Sequence, residues 1–333
     1  MTTEERVAAV EAWGRFTPRQ AAFLTTVMLH GGVCVQRQYQ TFARIVNGAK
    51  THDFFRALLA RALATGYACR RARAVIYHVH HRRLYELIGE PHSRFRKRAN
   101  VLRAVERLMV LDAVLMTPRQ RWLATEREKV EYFIKRHGVG LTDLPGVTFG
   151  SGGSETTRYF VDKLPIGVAA LDEVTLVYLI TDPTARAFRS FLEAHRGLLK
   201  RLRRWRVLFV SSRALQGSCP AHRQVMEDFC APPLPLAISE EFRWYCRTRR
   251  AAEEGASVPA PEAESERYAR ARRAFGAPRF FAAYRRWCRE GDSSLLALAS
   301  PTFHDAWHRD GGVVETLVLS HAYGHLTPLA RSA

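Results

Sequence analysis

No apolar run in the sequence approaches the roughly 20 residues that a membrane-spanning helix requires. The first residues, MTTEERVAAVEAWGRF, are acidic and then amphipathic, and they lack the basic and apolar segments of a signal peptide. The six cysteines never form a C-x-x-C pair, the spacing typical of zinc and redox sites. We therefore expect a cytoplasmic protein with reduced thiols and no contact with a membrane.

Lysine is scarce and acidic residues are in the minority. Only six of the 51 basic residues are lysine, and the 32 acidic residues leave a formal net charge of +19 at pH 7. Part of a surplus of this size must lie on the surface, where it favours a polyanionic partner. Hydrophobic residues make up 47% of the chain and charged residues 25%, which is typical of a folded globular protein and excludes wholesale disorder.

The first ninety residues show a change in hydrophobic period. Thr17-Pro18 predicts an N-cap and the start of a helix that ends at Gly31-Gly32. Apolar spacing predicts a second helix from Gln36 to Val46 and a third from near Thr51 to Gly66. The period then changes from 3.6 to 2, and two strand-like runs, 67–69 and 74–80, flank a basic tip. Three helices followed by such a hairpin are the order of a winged helix-turn-helix, which binds DNA.

In a winged helix the third helix enters the major groove and the hairpin tip lies against the DNA backbone. We therefore predict base contacts from the start of the third helix, at Lys50, Thr51, His52 and Arg56. Phosphate contacts are predicted for Arg37 and Gln38 on the second helix, for Arg70, Arg71 and Arg73 at the tip, and for His80. Alternation along the second strand turns His78 and His80 towards solvent or DNA. The alternative is a small helical domain whose basic residues only make it soluble.

Two breaks in composition suggest how the rest of the chain is organised. Residues 251–266 are acidic, rich in Ala and Pro, and lack apolar periodicity, and glycines cluster at 146–154. We predict an α+β protein with a winged-helix domain at 1–90 and a helical connector at 91–144. An α/β domain at 145–250, a linker at 251–266 and a helical C-terminal region at 267–333 follow. The connector contains a long helix with a wide apolar stripe, which either packs between domains or forms the seam of a homodimer.

The opening FTPRQAAFLTTVMLHGGVCVQRQYQTFARI, the basic hairpin and the helix from Asn100 to Val114 resemble the plasmid replication-relaxation family. The resemblance extends to about residue 210. Members of that family, found on plasmids and integrative elements, join a winged helix to a domain that resembles a PD-(D/E)xK nuclease core. The resemblance implies a DNA-binding protein of a mobile genetic element.

The second part of the chain has the strand and helix order of such a core. We predict strands at 158–168 and 174–181, a basic helix at 183–204 and a buried strand at 206–211. Metal-dependent cleavage requires a carboxylate near one strand and an acidic-x-Lys pair on the next. Asp162 could take the first position, but the second strand ends in Leu179, Ile180 and Thr181, with Asp182 beyond it and no Lys. We therefore predict a non-catalytic α/β nuclease-like domain without metal or cofactor.

Other ligand motifs are incomplete. The pairs His304/His308 and His321/His325 have the H-x-x-x-H spacing, but neither is H-E-x-x-H, and a chain with 13 histidines contains such pairs by chance. Cys219-x-x-His222 has no second pair, and no Lys-Ser/Thr follows the glycines at 150–153 as it would in a P-loop. The pattern predicts solvated or hydrogen-bonded histidines and a loop.

Three hypotheses about function follow. The first is a double-stranded-DNA-binding protein of a mobile genetic element, associated with the nucleoid and acting in transcriptional control, replication or transfer. The second is a divergent metal-dependent nuclease that uses Asp162, Asp182 and either Glu173 or Glu193. The third is a DNA-associated adaptor that binds tightly only together with an element-encoded protein partner. Helix order and net charge favour the first.

Overall fold

The computed structural model describes residues 1–69, 74–118, 120–150, 153–169, 172–232, 234–255, 262–299, 311–321 and 323. The fold is mixed α+β, as predicted. The chain divides into two compact units. The first comprises Met1–Pro183, Trp205–Cys219 and Val314–Ala333, and the second comprises Thr184–Arg204 and Pro220–Val313.

The elements of the first unit are seven helices within the described residues and the strands of three sheets. The helices are α1 (Thr3–Gly14), α2 (Pro18–His30), α3 (Gln36–Ala43), α4 (Ala49–Ala60), α5 (Arg82–Leu87), α6 (Val101–Met116) and α7 (Glu126–His137). The strands are β1 (Val33–Cys34), β2 (Ala64–Ala68), β3 (Val75–Val79), β4 (Arg121–Leu123), β5 (Gly146–Phe149), β6 (Thr156–Tyr159), β7 (Ile166–Val168), β8 (Val174–Ile180), β9 (Trp205–Ser212) and most of β10 (Gly312–Leu319). None of the described helices has both the length and the apolar character needed to cross a bilayer.

Local signals explain where α2 begins and ends. The Gln20 N–H donates to the Thr17 hydroxyl at 3.3 Å, and the Thr17 N–H donates to the Gln20 side chain at 3.0 Å, which satisfies two backbone donors that the helix leaves free. Pro18 occupies the first turn, where its missing N–H costs nothing. The helix ends before Gly32, whose φ of +70° favours glycine. The prediction of this helix is confirmed.

The end of α4 differs from the prediction. The apolar spacing predicted a helix to Gly66, but α4 ends at Ala60 and β2 starts at Ala64. Ala62 takes a left-handed conformation with a φ of +51°, and the Leu63 N–H donates to the Leu58 carbonyl at 2.9 Å. The helix therefore turns directly into the hairpin, and the residues predicted as its last turn form a strand instead.

Helices α2, α3 and α4 pack around an aromatic core under a three-stranded antiparallel sheet of order β1-β3-β2. Phe23 of α2 contacts Tyr39 of α3, and Tyr39 lies 4.7 Å from Phe54 of α4, measured between ring centroids. Each fully buried side chain of this size contributes about 1.5–3 kcal/mol to folding. Phe55 of α4 reaches the sheet, with its ring centroid 4.3 Å from that of Tyr77 on β3.

Helix α6 covers the other face of this sheet. Its residues Val105, Leu108 and Met109 belong to one apolar cluster with Ile76 of β3 and with side chains of β8 and β9. Most of the wide stripe of this helix is thus buried within the chain, whereas Leu102 is exposed. The same packing makes the prediction for His78 wrong, because β3 is covered on both faces and His78 is only 4% exposed. Its Nε2 atom lies 2.8 Å from the Phe95 carbonyl oxygen.

The second sheet has five strands in the order β10-β9-β8-β7-β4. Strands β4, β7 and β8 are antiparallel neighbours, whereas β8 and β9 are parallel and are joined by a connection through the second unit. The buried strands predicted at 174–181 and 206–211 are present with small shifts. Because β4 lies in the predicted connector and β7 to β9 in the predicted α/β domain, the boundary expected at 144–145 does not separate two units.

The single strand predicted at 158–168 is two strands. Strand β6 ends at Tyr159 in a hairpin with β5, and β7 starts at Ile166 in the five-stranded sheet. Between them, Phe160 and Lys163 have φ values of +50° and +59°, and the Lys163 N–H donates to the Phe160 carbonyl at 3.0 Å. This tight turn interrupts the extended backbone, although the residue pattern on either side is strand-like.

The second unit is helical within its described part. It contains α8 (Arg186–Ala194), α9 (Arg196–Arg201), most of α10 (Cys219–Phe229), α11 (Leu236–Glu253), α12 (Glu262–Ala274) and α13 (Pro278–Glu290). The helix predicted at 183–204 is therefore two helices. The predicted linker at 251–266 starts in the last turn of α11 and ends inside α12, while its central residues, 256–261, lie outside the described residues. Aromatic residues of α11 to α13 form the core of this unit.

Candidate nucleic-acid interface

Helix α4 presents basic residues on one side and apolar residues to the core. The exposed basic residues are Lys50, His52 and Arg56. The Arg56 side chain is 77% exposed, and its Nη1 atom lies 3.3 Å from Asp53 Oδ1. An ion pair as exposed as this contributes about 0–1 kcal/mol. Arg56 can therefore exchange Asp53 for another anion at little cost.

Thr51 does not lie on this surface, which contradicts its predicted contact with DNA. It is fully buried, and its hydroxyl makes no hydrogen bond within the described residues. On a helix, residues three, four and seven positions apart share a face, and Thr51 shares one with Phe54, Phe55 and Leu58, all of which are buried. The position of Thr51 in this stripe could have been recognised from the sequence.

The side chains of Arg37 and Gln38 are also used inside the protein. The Nη1 and Nη2 atoms of Arg37 donate to the two carboxylate oxygens of Asp112, both at 2.7 Å. Gln38 is fully buried: its Nε2 donates to the Leu108 carbonyl at 2.9 Å, and its Oε1 accepts from the Val35 N–H at 3.0 Å. Both residues therefore fasten α3 to α6, and the burial of Gln38 contradicts the predicted phosphate contact.

The hairpin of β2 and β3 stands next to α4 in the chain and in the core. The predicted contacts at its tip, Arg70, Arg71 and Arg73, lie outside the described residues. His80 is half-buried just after β3, and its Nε2 atom lies 2.9 Å from the Thr65 hydroxyl. Burial lowers the pKa of His80, and the nearby His81 and Arg96 lower it further. This environment favours the neutral ring, which would meet a phosphate through a hydrogen bond.

Among the described residues, the exposed face of α4 is thus the part of the predicted site that remains accessible. Models of known protein families, curated proteins and solved structures give no match to this chain. The assignment of a function consequently rests on the chemistry of the surface itself.

Sequence reasoning missed a second basic surface. Arg94, Arg98, Arg103, Arg107 and Lys163 line one open groove of about 760 Å³ in the first unit. Part of the signal was visible, because RFRKRAN at 94–100 is the most basic stretch before α6. The contribution of Lys163 was not visible in the sequence, because Lys163 lies 56 positions after Arg107, the nearest of the other four cations. We refer to these five residues and the space that they line as the basic groove.

The carboxylates proposed for a nuclease do not form a metal site. Asp162 Oδ1 accepts the Leu164 N–H at 3.1 Å, and Glu173 Oε1 lies 2.5 Å from an Arg206 guanidinium nitrogen. Glu193 belongs to the second unit, where Arg196 donates to both of its oxygens at 2.9 Å. Among the described residues, no three His, Cys, Asp or Glu side chains converge in a way that would hold a metal ion. The donor set that metal-dependent cleavage requires is therefore not assembled in this part of the chain.

Within the described residues, the remaining ligand motifs give no site either. His304, His308 and His325 lie outside the described residues, so neither H-x-x-x-H pair can be described in full. His222 is buried on α10 with its ring centroid 5.9 Å from that of Phe188. All six cysteines are unpaired thiols.

Proposed function

We propose that the protein binds double-stranded DNA through a winged helix formed by α2, β1, α3, α4, β2 and β3. The observation that carries this proposal is the exposed basic face of α4, held rigidly by an aromatic core on its opposite side. Helix α4 has 12 residues, which corresponds to a length of about 18 Å, and a helix fits the roughly 12 Å wide major groove of DNA. The net charge of +19 supplies the long-range attraction.

In this proposal each surface has one role. Lys50, His52 and Arg56 face base edges in the major groove, and the hairpin tip lies against the phosphate backbone. The protein belongs to a mobile genetic element and acts in transcriptional control, replication or transfer, without cleaving the DNA. Burial of Thr51 removes it from the predicted base contacts, and the internal hydrogen bonds of Arg37 and Gln38 remove them from the predicted phosphate contacts, while the exposed face of α4 remains.

Replacement of Arg56 tests the groove assignment. We expect Arg56→Ala to weaken binding to the preferred sequence by about 1–3 kcal/mol and to narrow the gap between preferred and random DNA, because it removes a base contact. The measurement is a titration of labelled fragments of the source genome, followed by competition with random DNA. Arg82→Ala is the matched control, since Arg82 is 72% exposed and pairs with Glu86 on its own helix much as Arg56 pairs with Asp53.

Three outcomes would contradict the proposal. If Arg56→Ala and Arg82→Ala lower affinity equally on every sequence, α4 does not read bases. If wild-type protein cleaves the fragments when Mg²⁺ or Mn²⁺ is added, and Asp162→Asn abolishes the cleavage, the chain is a nuclease. Binding to all fragments with equal affinity, together with a stable complex formed with an element-encoded protein, would instead favour an adaptor.

A further inference from the structure

The basic groove has a large excess of positive charge over negative charge. Its walls are the residues just before and along the first turns of α6, the turn before β7, and the end of β8. Glu106 and Asp162 are its only acidic lining residues in the described part of the chain. Glu106 is engaged by Arg103 at 3.0 Å, and an Asp162 oxygen accepts a backbone N–H. Five cations therefore face two carboxylates that already have partners.

Three of the five cations are positioned by aromatic rings, which hold them without neutralising them. The Phe95 ring has the Arg107 guanidinium 5.1 Å from its centroid and the Lys163 Nζ atom at 5.2 Å. The Arg98 guanidinium lies 5.2 Å from the centroid of Tyr67 on β2. Contacts of this type attract a cation through the ring quadrupole and leave its charge available to a further ligand.

In the described part of the chain, Arg107 lacks a hydrogen-bond partner that its burial would normally require, and Lys163 lies among other cations. Nη1 of Arg107 is buried and makes no hydrogen bond within the described residues. Burial lowers the pKa of Lys163 to about 8, and the charges of Arg94, Arg107 and Arg158 contribute, with Glu126 acting in the opposite direction. Cations that repel one another at close range are stabilised by an anion placed between them. Clustered groups of this kind are typical of functional sites.

The position of the groove indicates which anion it takes. Arg98, which lines the groove, contacts Tyr67 of the β2–β3 hairpin, and the charge of the groove is complementary to that of a phosphodiester backbone. Leu179 and Thr181 at the end of β8 also line the groove, and neither is a carboxylate. A groove with this lining can hold a phosphate through protein cations without a metal ion.

We propose that the basic groove binds the phosphodiester backbone of duplex DNA flanking the segment that α4 contacts. This inference rests on the proposed function, because it concerns the same DNA molecule. The groove adds affinity and extends the length of DNA covered, but it contributes nothing to base preference. Each phosphate that it neutralises releases a counterion and makes the salt dependence of binding steeper.

The test compares Arg94→Gln/Lys163→Gln with wild type on two probes, the minimal preferred sequence and the same sequence with both flanks extended by about one helical turn. On the extended probe we expect affinity to fall about tenfold. The slope of log affinity against log salt should become shallower by about 1–2, because one or two phosphate contacts are lost. On the minimal probe the variant should bind like wild type. Arg121→Gln is the control, because Arg121 is exposed on β4 and does not line the groove.

The possible results separate the two proposals. If wild type binds a preferred sequence but the double variant matches it on both probes, the groove inference fails and the winged-helix proposal stands. If the variant loses affinity equally on both probes, Arg94 and Lys163 act only through the net positive charge of the protein and not through contacts with the flanks. That result also overturns the inference. If wild type binds no duplex at all, both proposals fail. Unchanged thermal unfolding of the variant, and of Arg94→Gln alone, shows that a loss of binding is not a loss of fold.

Discussion

Arg37→Ala is expected to destabilise the protein by about 3–5 kcal/mol, which is the typical cost of leaving a buried charge without its partner. Asp112, on α6, is 4% exposed and accepts two hydrogen bonds from Arg37 and one from the Tyr323 hydroxyl, the latter at 2.5 Å. Without Arg37, the buried carboxylate keeps the hydrogen bond from the neutral Tyr323 hydroxyl but loses the cation that pairs with it. Chemical denaturation followed by circular dichroism measures the free energy of unfolding.

The control for this prediction also removes the charge of Asp112, which Arg37→Ala leaves unpaired. In Arg37→Ala/Asp112→Asn the buried group is a neutral amide, so the double variant should recover much of the stability lost by Arg37→Ala. The free energy of unfolding of Arg37→Ala also distinguishes a structural role of Arg37 from a contact with DNA phosphate. A phosphate contact would leave the free energy of unfolding within about 0.5 kcal/mol of wild type, as for other surface residues, and would lower only the affinity for DNA. That outcome would restore the assignment of Arg37 to the DNA interface.

The elements predicted correctly are those whose signals are local. Helix α2 has its capping residues and its terminating glycines in the sequence, and α6 begins at Asn100, which accepts the Arg103 N–H at 2.9 Å. Strands β8 and β9 are short apolar runs buried on both faces, as parallel strands usually are. In each case the residues that fix the element lie within it or directly beside it.

The errors concern partners that are distant in sequence. His78 appeared to face solvent because alternation assumes one covered face, whereas α6 and the second sheet cover the other. Arg37 appeared to be free because Asp112 lies 75 residues away. Lys163 joins the basic groove only because the chain turns sharply after Tyr159. Such contacts are set by tertiary packing, so composition and periodicity around each residue do not predict them.

Glu128→Ala is expected to have a similarly large effect, because Glu128 joins α1 to α7 and also caps α7. Its Oε1 atom accepts from Nη1 of Arg6 at 2.6 Å, and its Oε2 atom accepts the N–H groups of Ala124 and Thr125, both at 3.0 Å. Arg6 is 2% exposed, so the variant removes the carboxylate that pairs directly with a buried guanidinium. We expect a loss of about 3–5 kcal/mol in the free energy of unfolding.

The pH dependence of the free energy of unfolding gives an independent check on the pair of Arg6 and Glu128. Burial alone would raise the pKa of Glu128, but the Thr125 N–H and the charge of Arg6 outweigh it, so the pKa lies below its usual value. A carboxyl whose pKa is lower in the folded state stabilises the protein above its unfolded-state pKa, about 4.3, and this contribution disappears as pH falls through the folded-state value. The stability difference between wild type and Glu128→Ala should therefore be constant near pH 7 and shrink below about pH 4.

The double variant Arg6→Met/Glu128→Leu removes both charges, so its free energy of unfolding should be closer to that of wild type than the value for Glu128→Ala is. A difference that stays unchanged down to pH 2 would mean that the ion pair does not stabilise the contact between α1 and α7.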